Sequence, residues 1–511
     1  MSKTDPSATS SDALSPDALS LNARSLEQVH LQHRFADLGA VFGTPTAPTP
    51  LRAPHTIHVN PSALALLGID PREASRAEWA QLASGAQLFA GSAPFAMKYT
   101  GHQFGGYNPD LGDGRALLLG EIEHQGKRWD LHLKGAGKTP YSRFGDGRAV
   151  LRSTIREYLA GEALTALGIR STRALCIVGS DEPVARETME TGAALIRVAR
   201  THIRFGHFEY LFYTRQLEAQ KQLVQFVCAQ FLPEVCDQPV AAQAEALLRF
   251  TVQRSAELAA GWQSVGFAHG VLNTDNMSII GDTFDFGPYG FLDDYEPGFI
   301  CNHSDHTGRY AFDAQPGVVL WNLNALAHAF SSLLDTETLK DCLGEYQPLL
   351  IAHYANLMRA KLGLAIHDEN DQQLCADLLQ LLEQGQADYS LFFRALSRYT
   401  GERPADALAK LVAPAQHQAL SDWLHHYDQR LQKETRPAEA RRHAMLGTNP
   451  KFILRNYLAQ RVIEAAQAGD YQPLATFFTL LQSPFEEHPG FDDWAAAPAE
   501  SGKHLPISCS S

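Results

Sequence analysis

The chain is 511 residues long, past the size at which a single hydrophobic core usually stops growing, so two or three packed units are expected. Hydrophobic residues make up 45% and charged residues 20%, a balance that excludes a disordered or fibrous chain. The formal net charge is −14 and the Lys and Arg residues form no basic block, which argues against a nucleic-acid surface.

Residues 1–25 are rich in Ser, Ala, Asp and Pro without periodicity and read as a disordered leader. Their start is neither basic nor apolar, and no apolar run reaches the ~18 residues that cross a bilayer. A cytoplasmic location without membrane attachment is therefore expected. Residues 26–95 read as an extension on the core, with a helical stretch in SLEQVHLQHRFADLG and a strand in HTIHV. The seven cysteines (176, 228, 236, 301, 342, 375 and 509) are odd in number and contain no CxxC pair. That pattern argues against a disulfide framework and a zinc ribbon, and makes most of them small buried hydrophobes.

Residues 96–206 change character. LGDGRALLLGEIE, the turn HQGK and RWDLHLKG read as a glycine-rich loop feeding a two-stranded hairpin that ends at Lys134. A second glycine turn, YSRFGDGRAV, opens an amphipathic helix from about Val150 to Leu167, stopped by Gly168. RALCIVG and ALIRVAR supply further strands. From 207 to 485 the text turns helical, as in FYTRQLEAQKQLVQFVCAQFL and EALLRFTVQRSAELAAGWQSVG, with short strands expected in MSII and FDFG. Residues 486–511 form a loop-like tail carrying Cys509. The coarse class is α+β, a mixed first lobe followed by a mainly helical second. GDGRA occurs at 112–116 and again at 145–149, and the two copies read as separate anion-binding turns.

A nucleoside triphosphate with its metal needs backbone N–H groups at glycines, a cation on the phosphates, and oxygen ligands for Mg²⁺. Gly112, Gly114 and Arg115 offer the first, unless they are only a hairpin entry. Lys134 offers the second, and Glu157 follows it by 23 residues on the helix, in one stripe with Val150, Thr154, Gly161 and Leu164. Glu157 either pairs with Lys134 or lies on the surface beside Arg156. HGVLNTDNMSIIGDTFDFG, 269–287, resembles the catalytic and metal loops of kinase-type enzymes, with Asn276 and Asp285 as metal ligands. The position that carries the kinase base is Val271, which accepts no proton. Asp275 either replaces that base or caps the loop. Arg197 sits inside an apolar run where a guanidinium must meet an anion. If Arg197 and Arg204 join Lys134 and Asp146-Gly147 around phosphate, the interior holds more positive charge than a kinase needs, which suits a nucleotide whose terminal phosphates point inward.

Taken together, LGDGRA, HLKGAGKTPYSRFGDGRAVLRSTIREYLAGEAL, HGVLNTDNMSIIGDTFDFGPYGF, ICNHSDHTGRYAF and NPKFILRNYLAQ resemble the selenoprotein O family, from about 95 to 460. The resemblance implies a protein-kinase-like two-lobed fold and a protein adenylyltransferase that moves AMP from ATP to Ser, Thr or Tyr hydroxyls of proteins, redox-related ones among them, with ATP flipped relative to kinases. It assigns Gly112, Gly114, Arg115, Lys134, Asp146, Gly147, Arg197, Arg204 and Asp285 to ATP, Asn276 and Asp285 to Mg²⁺ or Mn²⁺, Glu157 to orienting Lys134, and Asp275 to proton acceptance. It also suggests a redox pair between Cys509 and Cys301, although the CxHxDH run at 301–306 leaves metal ligation open. An ordinary phosphotransferase and a non-catalytic nucleotide-binding scaffold are the competing readings.

Overall fold

The computed structural model describes residues 23–401, 405–503 and 505. Most of the expected leader and Cys509 lie outside them. Among the described residues twelve strands run in chain order: β1 Gly43–Pro45, β2 His55–Val59, β3 Phe95–Met97, β4 Gly101–Gln103, β5 Gly106–Asn108, β6 Ala116–His124, β7 Lys127–Lys134, β8 Ala149–Val150, β9 Arg173–Ala185, β10 Met189–Ala199, β11 Phe267–Ala268 and β12 Gly290–Phe291. An eight-stranded antiparallel sheet has the order β1-β3-β6-β7-β10-β9-β2, with β8 on β10. β6 and β7 are joined by the two-residue turn Gln125-Gly126, both at positive φ (50° and 69°), as a tight hairpin with right-handed twist requires.

Both faces of this sheet are covered, which explains why its strands are near-continuous apolar runs. Leu117, Leu119, Leu131, Leu133, Ile196 and Val198 pack with Leu26, Leu31, Leu64 and Trp79 of the N-terminal extension. Their neighbours Leu118, Ile177 and Leu195 face the other way, into the core shared with Leu159 and Trp262. Period-two alternation then places His132, Lys134 and Arg197 on this second face, because Leu195 pairs with Lys134 and Arg197 with His132.

The helix Leu151–Ala166 lies against that face, closed by Gly168 at φ 80°. The expected amphipathic character is not what forms, since 13 of its residues are buried. Arg156 is among them, donating to the Tyr289 carbonyl (2.7 Å) and lying over the Tyr289 ring, and helices Asn456–Gln467 and Gln472–Gln482 cover the outer side. Beyond residue 205 the described chain is mainly helical around Val240–Val265. The architecture is α+β, as expected.

Three local expectations are corrected. SLEQVHLQHRFADLG forms only short 3₁₀ turns, Leu26–Gln28 and Ala36–Leu38; Val29 and Leu31 are buried in alternation, and Gln32 exchanges backbone hydrogen bonds with Glu121. A bound sheet edge outcompetes local helix propensity there. MSII and FDFG make no strands: MSII has the single bridge Arg204 to Ser278, FDFG has none, and a bridge from Ser171 stops at Thr283 just before it; the short paired strands are β11 and β12, outside the loop. FYTRQLEAQKQLVQFVCAQFL is two helices, Phe205–Tyr213 and Leu217–Phe231, separated where Arg215 turns to φ 58°.

Candidate active site

One cleft of about 770 Å³ opens between the sheet and the helical part. Gly112, Gly114, Arg115, Lys134, Asp146, Gly147, Arg197, Arg204, Asp275, Asn276 and Asp285 all line it. The two glycine turns lean on each other: the Tyr141 ring lies 2.6 Å from where a Gly112 side chain would begin, and a Cβ on Gly147 (φ 75°) would collide with the Gly137 carbonyl. Only glycine fits at these approaches. Asp113 turns inward, accepting from Met97 N (3.1 Å) and His132 Nε2 (2.9 Å). Asp146 caps Arg148 N (2.8 Å) and pairs with Arg186 (2.7 Å).

Behind the turns lies a buried charge lattice. Glu157 Oε2 accepts from Lys134 Nζ at 2.5 Å and from Arg197 Nη2 at 3.1 Å, while Arg197 Nε binds Oε1. Arg197 Nη2 continues to Asp285 Oδ1 (3.0 Å), and Arg204 Nη1 binds Asp285 Oδ2 and donates to the Asp275 carbonyl (2.7 Å). Glu157 is therefore the buried partner of Lys134 and not a surface acid. Burial would raise its carboxyl, but Arg197 and Lys134 outweigh it and hold it at about 2. Burial, reinforced by Arg115 and Arg197, lowers the Lys134 ammonium to about 7. Seven cationic side chains and four carboxylates line the cleft, in a chain of net charge −14. Such a concentration of positive charge suits an anion.

Asp275 stands in a 3₁₀ turn, Thr274–Asn276, its backbone carbonyl bound to Arg204 of this lattice. Its Oδ2 accepts from Gln103 Nε2 (3.1 Å), and its Oδ1 is buried without a hydrogen-bond partner. Burial, opposed by Arg204, pushes the carboxyl up to about 6. Apart from its own backbone N–H, which favours the charged form, no backbone group is bonded to the carboxylate among the described residues. Asn276 faces elsewhere, its Nδ2 donating to the Val271 carbonyl (2.9 Å), and Asp285 sits in the left-handed region at φ 59°.

The family model described as "Protein adenylyltransferase SelO" matches residues 25–482. This chain belongs to that family. It is an enzyme of the nucleotidyltransferase class. Curated relatives called "Protein nucleotidyltransferase YdiU" include those of Pseudomonas putida (strain GB-1), 52% identical over 491 residues, and Pseudomonas entomophila (strain L48), 51% over 491; each alignment covers 95% of this chain and 99% of the relative. That of Pseudomonas aeruginosa (strain LESB58) is 50% identical over 490 residues, with the same coverage.

Several groups of this SelO-family site were not singled out in the sequence. Arg143, Arg148 and Arg186 add to the cationic wall, and Glu209 joins His102 Nδ1 and Thr274 Oγ1, each at 2.5 Å. The repeated GDGR pointed to Arg148, but nothing local pointed to Glu209. Cys301 is buried under Gly270 at the start of the catalytic loop, its Sγ donating to the Pro288 carbonyl (2.8 Å). Among the described residues no group of three or more His, Cys, Asp or Glu is placed to hold a metal, so the 301–306 run gains no support as a metal site. No helix among them is long and apolar enough to cross a membrane.

Proposed function

We propose that the enzyme is a protein adenylyltransferase with a kinase-like two-lobed core, moving AMP from ATP to Ser, Thr or Tyr hydroxyls of proteins. The observation that carries this reading is Asp275: a cleft carboxylate with one oxygen free, at a loop where the kinase base position is Val271. The names of the curated relatives agree with protein targets.

In this reading the deep lattice of Lys134, Arg197 and Arg204, with the glycine turns at 112–115 and 146–147, holds the β- and γ-phosphates inward, leaving the α-phosphorus toward Asp275. The acceptor hydroxyl gives its proton to the Asp275 carboxylate as its oxygen bonds to the α-phosphorus. The bond from that phosphorus to the bridging oxygen breaks, and pyrophosphate leaves. A carboxyl at about 6 is ionised at neutral pH yet basic enough to accept a proton.

Asn276 and Asp285 supply hard oxygen donors that fit Mg²⁺ or Mn²⁺, and the guanidiniums already on Asp285 show that its position suits cations. A metal bound there would neutralise phosphate charge. Two protein ligands, completed by phosphates and water, match the way Mg²⁺ is usually held. Cys301, beneath Gly270, is a fitting place for a disulfide with Cys509 to reach the catalytic loop.

ATP labelled on the α- or the γ-phosphate tests the reaction. Label from the α-position alone in acceptor protein, lost in Asp275→Ala with ATP binding retained, is expected. Label from the γ-position alone makes the enzyme an ordinary phosphotransferase, neither label makes it a scaffold, and near-normal turnover in the variant removes Asp275 from the mechanism.

A further inference from the structure

The hairpin β4–β5 is fastened to the catalytic loop. Its two-residue turn, Phe104-Gly105, has φ of 50° and 84°, and a phenylalanine in the left-handed region persists only where contacts hold it. Those contacts are on the loop and on Tyr310, which is itself bonded to the loop: Phe104 N donates to Asn273 Oδ1 (3.2 Å) and Tyr310 Oη (3.0 Å), Tyr310 Oη donates to Asn273 Oδ1 (2.6 Å), and His102 N donates to Thr274 Oγ1 (2.7 Å). Gly101 abuts Asp275 so closely that a Cβ there would lie 2.9 Å from Oδ1.

Through this hairpin runs a chain of amide hydrogen bonds with one direction. Asp110 N donates to Asn108 Oδ1 (3.0 Å), which leaves Asn108 Nδ2 to donate to Gln103 Oε1 (3.1 Å). Gln103 must then turn its Nε2 toward Asp275 Oδ2 (3.1 Å). A backbone N–H has only one polarity, so both side-chain amides are fixed by it. We propose that Gln103, oriented by Asn108, is a positioning residue that holds Asp275 Oδ2 and so fixes the orientation of the carboxylate toward the acceptor hydroxyl. The charged and titratable groups around Asp275 on the other elements are Arg204, Glu209, Tyr99 and Tyr310, and of these only Arg204 is hydrogen-bonded to it, at the backbone carbonyl. Among the described residues Gln103 is the side chain hydrogen-bonded to the carboxylate itself.

This inference rests on the reading of Asp275 as proton acceptor, and the test separates the two. In the full chain, Gln103→Met keeps the length of the side chain without its amide. Asn108→Asp is isosteric but offers only acceptors, so Gln103 turns its Nε2 back and points Oε1 at the carboxylate. Each variant is expected to lower kcat for AMP transfer about 10- to 100-fold, the loss that misplacement by about an ångström brings, with ATP affinity within twofold (about 0.4 kcal/mol). The Asn108→Asp loss should vanish in the Gln103→Met background, since Asn108 acts through Gln103. Should Gln103→Met fold poorly by its thermal midpoint, Asn108→Asp alone carries the kcat and affinity test. Wild-type kcat in these variants, with Asp275→Ala inactive, overturns the positioning role and leaves the base standing. Weakened ATP binding at unchanged kcat makes Gln103 a nucleotide contact and overturns it too, as do additive losses in the double variant. An active Asp275→Ala removes the underlying reading itself.

Discussion

Replacing Asp275 by Asn is expected to abolish transfer and to stabilise the fold. The carboxyl is pushed up to about 6 in the folded protein against an ordinary 3.8, chiefly by burial. Between these values the folded form keeps a proton that the unfolded chain has released, so stability falls as pH rises from about 4 to about 6 and the full penalty remains above that window. A tenfold change in proton affinity is ~1.4 kcal/mol, which makes the ionised carboxylate cost ~3 kcal/mol at most. Asn keeps the shape and an acceptor for Gln103 while removing the charge. With an unfolding entropy of ~2.1 cal/mol/K per residue, a chain of 511 residues turns that gain into a midpoint rise of about 3 °C. Thermal unfolding of wild type and Asp275→Asn, with chelator and without nucleotide, should show this rise near pH 8 and its loss near pH 4. An Asn variant no more stable than wild type at pH 8, or equally stabilised at both pH values, would refute the reasoning.

Lys134, lowered to about 7 by burial, should give ATP binding a pH dependence of its own: affinity falls as pH rises through about 7 and the ammonium loses its charge. Titrations between about pH 6.5 and 8.5 should show a steeper fall in wild type than in Lys134→Met; equal slopes would assign the effect to the nucleotide. Removing Glu157 should be worse than removing Lys134, since Glu157→Ala leaves Lys134 without its carboxylate and Arg197 with Asp285 as its remaining one, at a cost of about 3–5 kcal/mol. Comparable thermal midpoints for the two variants would contradict that ranking. Peptide mapping of oxidised protein should recover Cys301 joined to Cys509, and recovery of both as thiols would end the redox-pair reading.

Much of the cleft was legible because charges in apolar strands are conspicuous. Lys134 ends DLHLK and Arg197 interrupts ALIRVA, and a buried cation demands an anion, which Glu157 and Asp285 provide. The glycine turns were legible for a related reason, since close backbone approach leaves its mark in sequence as glycine. The hairpin at 101–108 was not legible: Gln103 meets Asp275 and His102 meets Thr274 across 172 residues, and no local spacing encodes such pairs. Glu209 was hidden likewise, its partners lying 107 and 65 residues away. The extension at 26–38 was misread because its apolar residues fit a helical period as well as an extended one, and pairing with Glu121 decided between them.

With Val at 271 and a carboxylate at 275, the charged group of the loop lies beside β4 and not beside the Asp285–Gly287 segment. The Val271 side chain lies 3.8 Å from where a Cβ of Gly287 would stand, so an Asp at 271 would face the Asp285–Gly287 segment, and the Val271 carbonyl is already spent on Asn276. Asp275 faces β4 and β5 instead, with Gln103 on one oxygen and Gly101 beside the other. The side chains of Asn276 and Asp285 therefore share no hydrogen bond with Asp275, although Arg204 touches both Asp285 and the Asp275 backbone. In the proposed mechanism a loop with Val at 271 and Asp at 275 separates the proton acceptor from the cation-facing oxygens, which a single carboxylate at 271 would have to reconcile at close quarters.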